Sequence, residues 1–104
     1  MTDYLVKPAS RANFSAERYT KTDLARGTHL FLGLNCFQPG QIQAVHTHAD
    51  ADKFYLVLSG KARMVVGEQQ ILAQAGDLVW CPAGLSHGVG EVLEALVLVV
   101  GIST

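Results

Sequence analysis

The stretch GQIQAVHTHADADKFYLVLSG, Gly40 to Gly60, decides how this chain is read. It opens on the turn signal Pro39-Gly40 and runs through an extended piece, Gln41 to His48. A polar break follows at Ala49-Asp50-Ala51-Asp52. Lys53 to Leu58 is then rich in aromatic and β-branched residues and stops at Ser59-Gly60. Nothing here repeats at helical spacing. Two short strands with turns between them predict an all-β chain, a sandwich or a barrel.

The pattern continues on both sides. Upstream, Glu17 to Ala25 and Thr28 to Phe37 read as strands separated at Arg26-Gly27. Downstream, Lys61 to Val66 and Gln69 to Ala73 flank Gly67-Glu68, a two-residue hairpin turn. Leu78 to Cys81 halts at Pro82-Ala83-Gly84, and His87 to Val89 leads into Val92 to Val100. This makes eight or nine strands. The last run is apolar on both faces, which predicts a strand covered on two sides, one of them by a partner subunit. Residues 1–15 carry the weakest signals and are expected to form an extended N-terminal arm on a single domain spanning 1–104.

Composition sets limits on function. The chain has 104 residues, 49% apolar and only 16% charged, with a formal net charge of -1. That balance lacks the positive field that nucleic acid or an anionic membrane attracts. Two cysteines, Cys36 and Cys81, are too few for a disulfide framework. The opening residues MTDYLVKPAS contain no long apolar run, so no signal peptide is expected and the default location is cytoplasmic. The shortage of charged surface predicts a homodimer.

Three of the four histidines lie between positions 46 and 87. In a strand, residues i and i+2 project from the same face, so His46 and His48 can converge on one ion. His87 follows its own turn. If the fold brings it beside the pair, three neutral nitrogens make a metal site with open positions, the pattern of catalytic rather than structural metals.

These residues resemble the two motifs of the cupin superfamily. Gly40, five residues, His46-Thr47-His48 and then Gly60 match the first, G-x5-H-x-H-x3,4-E-x6-G. Gly76, five residues, Pro82-Ala83-Gly84, two residues and His87 match the second, G-x5-P-x-G-x2-H-x3-N. The resemblance covers residues 40–60 and 76–91 and is similar to the small single-domain members. It implies a double-stranded β-helix, a jelly-roll cupin barrel. It implies His46, His48 and His87 as ligands of a divalent transition metal (Zn, Ni, Fe or Mn) inside the barrel, and dimers through edge strands and sheet faces. It implies a small-molecule ligand or substrate, with dioxygenase or isomerase chemistry among the activities such proteins have.

Two positions depart from the pattern. The glutamate seven residues before the closing glycine is Lys53 here. A protonated lysine has no lone pair to give a metal. Lys53 is neutral, or turned away, or the site is metal-free with Lys53 as its active group. Asp52 fits the spacing measured from the histidines, but strand alternation points it away from Lys53 unless a bulge intervenes. The closing asparagine is Glu91, four residues after His87, and a regular strand would put both on one face. Tyr55 shares the face of Lys53 and is a candidate to line a pocket. A barrel that binds a small molecule or a metal without turnover is the alternative to an enzyme.

Overall fold

The computed structural model describes residues 4–104. Seven strands follow one four-residue 3-10 turn, Pro8–Arg11: β1 (Thr20–Arg26), β2 (Leu30–Phe37), β3 (Gln43–His46), β4 (Lys53–Val66), β5 (Gln69–Gln74), β6 (Leu78–Cys81) and β7 (His87–Ser103). All pairings are antiparallel. Residues 4–19 contain no strand; the first three residues of the expected arm lie outside the described residues.

The two long strands organise the fold. β4 and β7 pair along their whole length, from Lys53 opposite Ile102 to Val66 opposite His87. The first part of β4 also pairs with β6, and its second part with β5. The second part of β7 pairs with β2, which carries β1, while its first part pairs with β3. The pairings therefore form two halves that share β4 and β7, joined where those strands bend. This is the double-stranded β-helix, the jelly roll.

The expected turn at Ser59-Gly60 is a bend inside β4. Gly60 has φ +92°, and a Cβ there would lie 2.1 Å from the carbonyl oxygen of Ala95. Only glycine lets the two strands cross this closely. Four register shifts between Val57 and Met64 curve the ladder at the same place. The predicted break between Val89 and Val92 is likewise a bulge inside β7. Nine short strands become seven because glycine marks a kink as readily as a turn.

Alternation along β4 and β7 sorts two apolar clusters. Tyr55, Val57, Leu96, Leu98 and Val100 point into the barrel and pack with Phe37, Met64 and Val89. Val97 and Val99 point outward against Leu34 and Cys36, with Leu24, Phe54, Leu56 and Leu58 around them. From Leu96 to Val100 both faces of the last run are thus covered within one chain, while Leu93, Glu94 and Ala95 stay exposed. The Gly67-Glu68 hairpin forms as expected, with Val66 opposite Gln69.

Candidate metal centre

His46 ends β3 and His87 begins β7, and the two are direct partners in the ladder. Between Gln43–Val89 and His46–His87, β3 takes three steps and β7 takes two. That bulge reverses the parity of β3, so Gln43 is buried while Ala44 and Val45 face solvent. A Cβ on Gly88 would lie 2.8 Å from the Gln43 carbonyl oxygen, so the close approach needs glycine. His48 lies two residues beyond His46, past the end of β3.

The turn before His87 is fastened on two sides. The Gly84 N–H donates to the His48 carbonyl at 2.9 Å. The Ala83 N–H donates to Asp52 Oδ1, also at 2.9 Å. Asp52 is exposed and holds the turn, and it is not in the group whose ligand atoms gather with the histidines.

The three histidines converge. Their ligand nitrogens all lie within 4.8 Å of one another, and ring centroids are 4.5 Å apart for His46–His87 and 5.0 Å for His46–His48. His46 Nδ1 lies 2.8 Å from the Ala44 carbonyl, and His87 Nδ1 lies 3.1 Å from the Leu85 carbonyl. With each Nδ1–H donating, both Nε2 atoms carry lone pairs into the site. His87 Nε2 is buried and has no hydrogen-bond partner. Burial pulls the His87 imidazole down to about 4, against a smaller opposing effect of its contact with Leu85. His48 is also lowered, by burial and then by Lys53 and His46. Neutral imidazoles with free lone pairs are what a metal requires. This donor set could hold a metal ion.

Lys53 is 5% exposed and points inward beside these rings. Its Nζ lies 3.4 Å from His46 Nε2 and 4.7 Å from the centroid of the Tyr55 ring. Burial pushes the ammonium down to about 8; Cys81 opposes that shift and Lys21 adds to it. At neutral pH the group is still mostly protonated, so it donates to His46. Cys81 is its neighbour across the β4–β6 ladder, buried and unoxidised.

Two expected site residues do not line the pocket. Tyr55 is fully buried, and its hydroxyl donates to Gln43 Oε1, so it supports the floor of the site and offers no hydroxyl to a ligand. Burial, followed by Cys81 and Tyr19, holds that hydroxyl well above the usual tyrosine range. Glu91 is on the surface, paired with Arg63 at 3.1 Å. The physical reason is a bulge: Val89 pairs with Met64 and Glu91 with Arg63, so Gly90 and Glu91 share one partner and Glu91 turns outward.

A pocket of about 460 Å³ opens over His46, His48 and Lys53. Asn35, Gln43, Lys21 and Phe31 also line it, and sequence reasoning missed all four. Asn35 and Lys21 come from β2 and β1, whose pairing partners no local motif reveals. Gln43 was hidden by the bulge.

Comparison with known proteins places the molecule. The Cupin domain family model matches residues 33–101. The uncharacterized protein SCO3923 of Streptomyces coelicolor is 34% identical over 76 residues, which is 72% of this chain and 71% of that protein. The crystal structure of TT1209 from Thermus thermophilus is similar with a TM-score of 0.87 and 31% identity, covering 94% of this chain and 95% of that one. A Klebsiella pneumoniae protein with a double-stranded β-helix domain gives a TM-score of 0.88 over 98% of this chain and 90% of its own; at 19% identity it shows the fold alone. With both histidine motifs converging in a jelly-roll barrel, the chain belongs to the cupin family.

Proposed function

We propose that His46, His48 and His87 hold a divalent transition metal (zinc, nickel, iron or manganese) at the floor of the pocket, and that the pocket takes a small organic molecule. One observation carries this reading: the buried, unpartnered Nε2 of His87, set among the nitrogens of His46 and His48. An unsatisfied buried acceptor costs about 1–3 kcal/mol, and a bound ion would offset it. Three protein nitrogens leave coordination positions open. When bound, the metal supplies a Lewis acid for an oxygen atom of the ligand, which suits dioxygenase or isomerase chemistry. The chain's own part is to orient His46 and His87 through the Ala44 and Leu85 carbonyls, and to hold a proton on Lys53 Nζ beside the ligand.

The Lys53–His46 contact favours a second reading, a metal-free barrel in which Lys53 is the active group. Titration separates the two. Protein purified without a tag and stripped with chelator is titrated with Zn, Ni, Mn and Fe(II), following stoichiometry and melting temperature. One equivalent with a raised melting temperature is expected, since ligand binding to the folded state stabilises it. Less than about 0.1 equivalent of any metal, with no thermal shift, would support the metal-free reading. A homodimer would use the outward apolar face, where Leu78 and Trp80 stay exposed beside Phe54 and Leu56; sedimentation equilibrium reads this directly.

A further inference from the structure

Among the described residues the barrel buries one formally charged side chain other than histidine, Lys53. Among the described residues the one ion pair is Arg63–Glu91, on the surface, so no carboxylate answers Lys53. Its polar neighbours are His46 Nε2 and the face of the Tyr55 ring. A buried cation with no counter-charge is costly, and proteins that keep one use it.

A second residue in the same wall is also unanswered. Asn35 is 6% exposed and lines the pocket, yet its side-chain amide makes no hydrogen bond to another described residue. Gln43, by contrast, is held by Tyr55 and Tyr19. Beside its histidines the pocket therefore offers two groups with N–H donors to spare, the Lys53 ammonium, which has three and one contact to His46, and the Asn35 amide. Phe31, Val100 and Ile102 add an apolar stretch to the lining. The charges of Lys21 and Asp23, both exposed on β1, oppose each other at the rim.

We infer that this pocket binds a small organic carboxylate. The carboxylate is received by Lys53 Nζ and the Asn35 amide, and an apolar body lies against Phe31, Val100 and Ile102. A single ammonium with one amide matches a monoanion; a phosphate dianion would call for more donors than the wall presents. The volume, about 460 Å³, is much larger than an inorganic anion and suits an acid with a ring or short chain. The inference rests on reading this pocket as a small-molecule site, and it needs no metal.

The test uses matched acids and amides as probes: benzoate against benzamide, and hexanoate against hexanamide. Binding to the full chain is measured by calorimetry, in chelator-stripped and in zinc-treated protein. The side-chain amide resonances of Asn35 are followed by NMR. In stripped wild-type protein at least one acid should bind about tenfold or more tighter than its amide and shift the Asn35 signals. Lys53→Met should abolish that advantage, while Lys61→Ala, outside the pocket, should keep it. Equal binding of acid and amide, or no binding of either pair, in wild-type protein overturns the inference without needing any variant to fold. So does an acid preference that appears only with zinc, or one that survives in folded Lys53→Met, because the metal or another group would then be the anion's partner. A preference that holds in stripped protein stands even if the protein takes up no metal.

Discussion

Replacing Lys53 with methionine should tighten metal binding. The ammonium sits 3.4 Å from His46 Nε2, the same lone pair that a metal would need. Binding the ion must first break that contact. A hydrogen bond to a charged group is worth about 1.5–3 kcal/mol net, and 3.4 Å is long, so the lower figure applies. That alone is roughly tenfold in dissociation constant. Repulsion adds to it: two unit charges about 4 Å apart interact by about 4 kcal/mol at an effective dielectric of about 20, and a divalent ion doubles the figure. Lysine relieves much of this by swinging into the pocket, so the repulsion is an upper bound. Methionine keeps a long apolar stem and removes both effects. The assay is zinc competition against a chromophoric chelator at pH 7, with circular dichroism to confirm the fold. Lys53→Met should bind at least about tenfold tighter than wild type. The gap should narrow as pH rises past about 8, where wild-type Lys53 gives up its proton. Equal affinities at pH 7, or weaker binding by the variant, would refute the idea that Lys53 competes for His46.

Other perturbations test the frame around the site. Gly60→Ala should cost at least about 1–3 kcal/mol in urea unfolding, because φ is +92° and the new Cβ meets the Ala95 carbonyl at 2.1 Å; a near-neutral change would mean the strands do not cross there. Asp52→Ala should leave the Ala83 N–H without its partner, lowering stability by about 1 kcal/mol and weakening zinc binding through the loosened turn. Unaltered zinc affinity would show that the turn needs no such fastening. Stability of the metal-free protein should fall as pH drops from 6.5 toward about 4. His87 is held neutral in the fold to about 4, so the unfolded chain binds the proton first and gains from it. The loss should be on the order of 2–3 kcal/mol and be smaller in His87→Gln, where His48 still contributes in the same direction. Acid unfolding curves that coincide for the two proteins would contradict this.

What the sequence made legible was local. His46-Thr47-His48 and the Pro82-Ala83-Gly84 turn are each short segments, and their spacing carries their geometry. The position of Lys53 at the acid of the family pattern was equally visible. Parity was harder. Bulges at Gln43–His46 and at Gly90–Glu91 shift which face a side chain takes, bringing Gln43 in and sending Glu91 out. A one-residue irregularity leaves no mark in composition, because either register is sterically open to those residues. Asn35 and Lys21 were out of reach for another reason: they enter the pocket through the pairing of β1, β2 and β7, which is long-range. The apolar last run is covered on both faces from Leu96 to Val100, and the outer cover there lies within the chain, in Leu34, Cys36 and their neighbours. The sparse charge of the sequence is thus partly explained by a second apolar cluster on the outside of the sheet.

Whether three histidines form one metal site with Lys53 beside it can be read from a single experiment. It is a crystal structure of zinc-soaked protein, with anomalous differences recorded on both sides of the zinc edge. One strong peak is expected at about 2.0–2.1 Å from a nitrogen of each of His46, His48 and His87, with Lys53 Nζ displaced from His46. No peak among these histidines, with Lys53 still in contact with His46 Nε2, would contradict the proposed site.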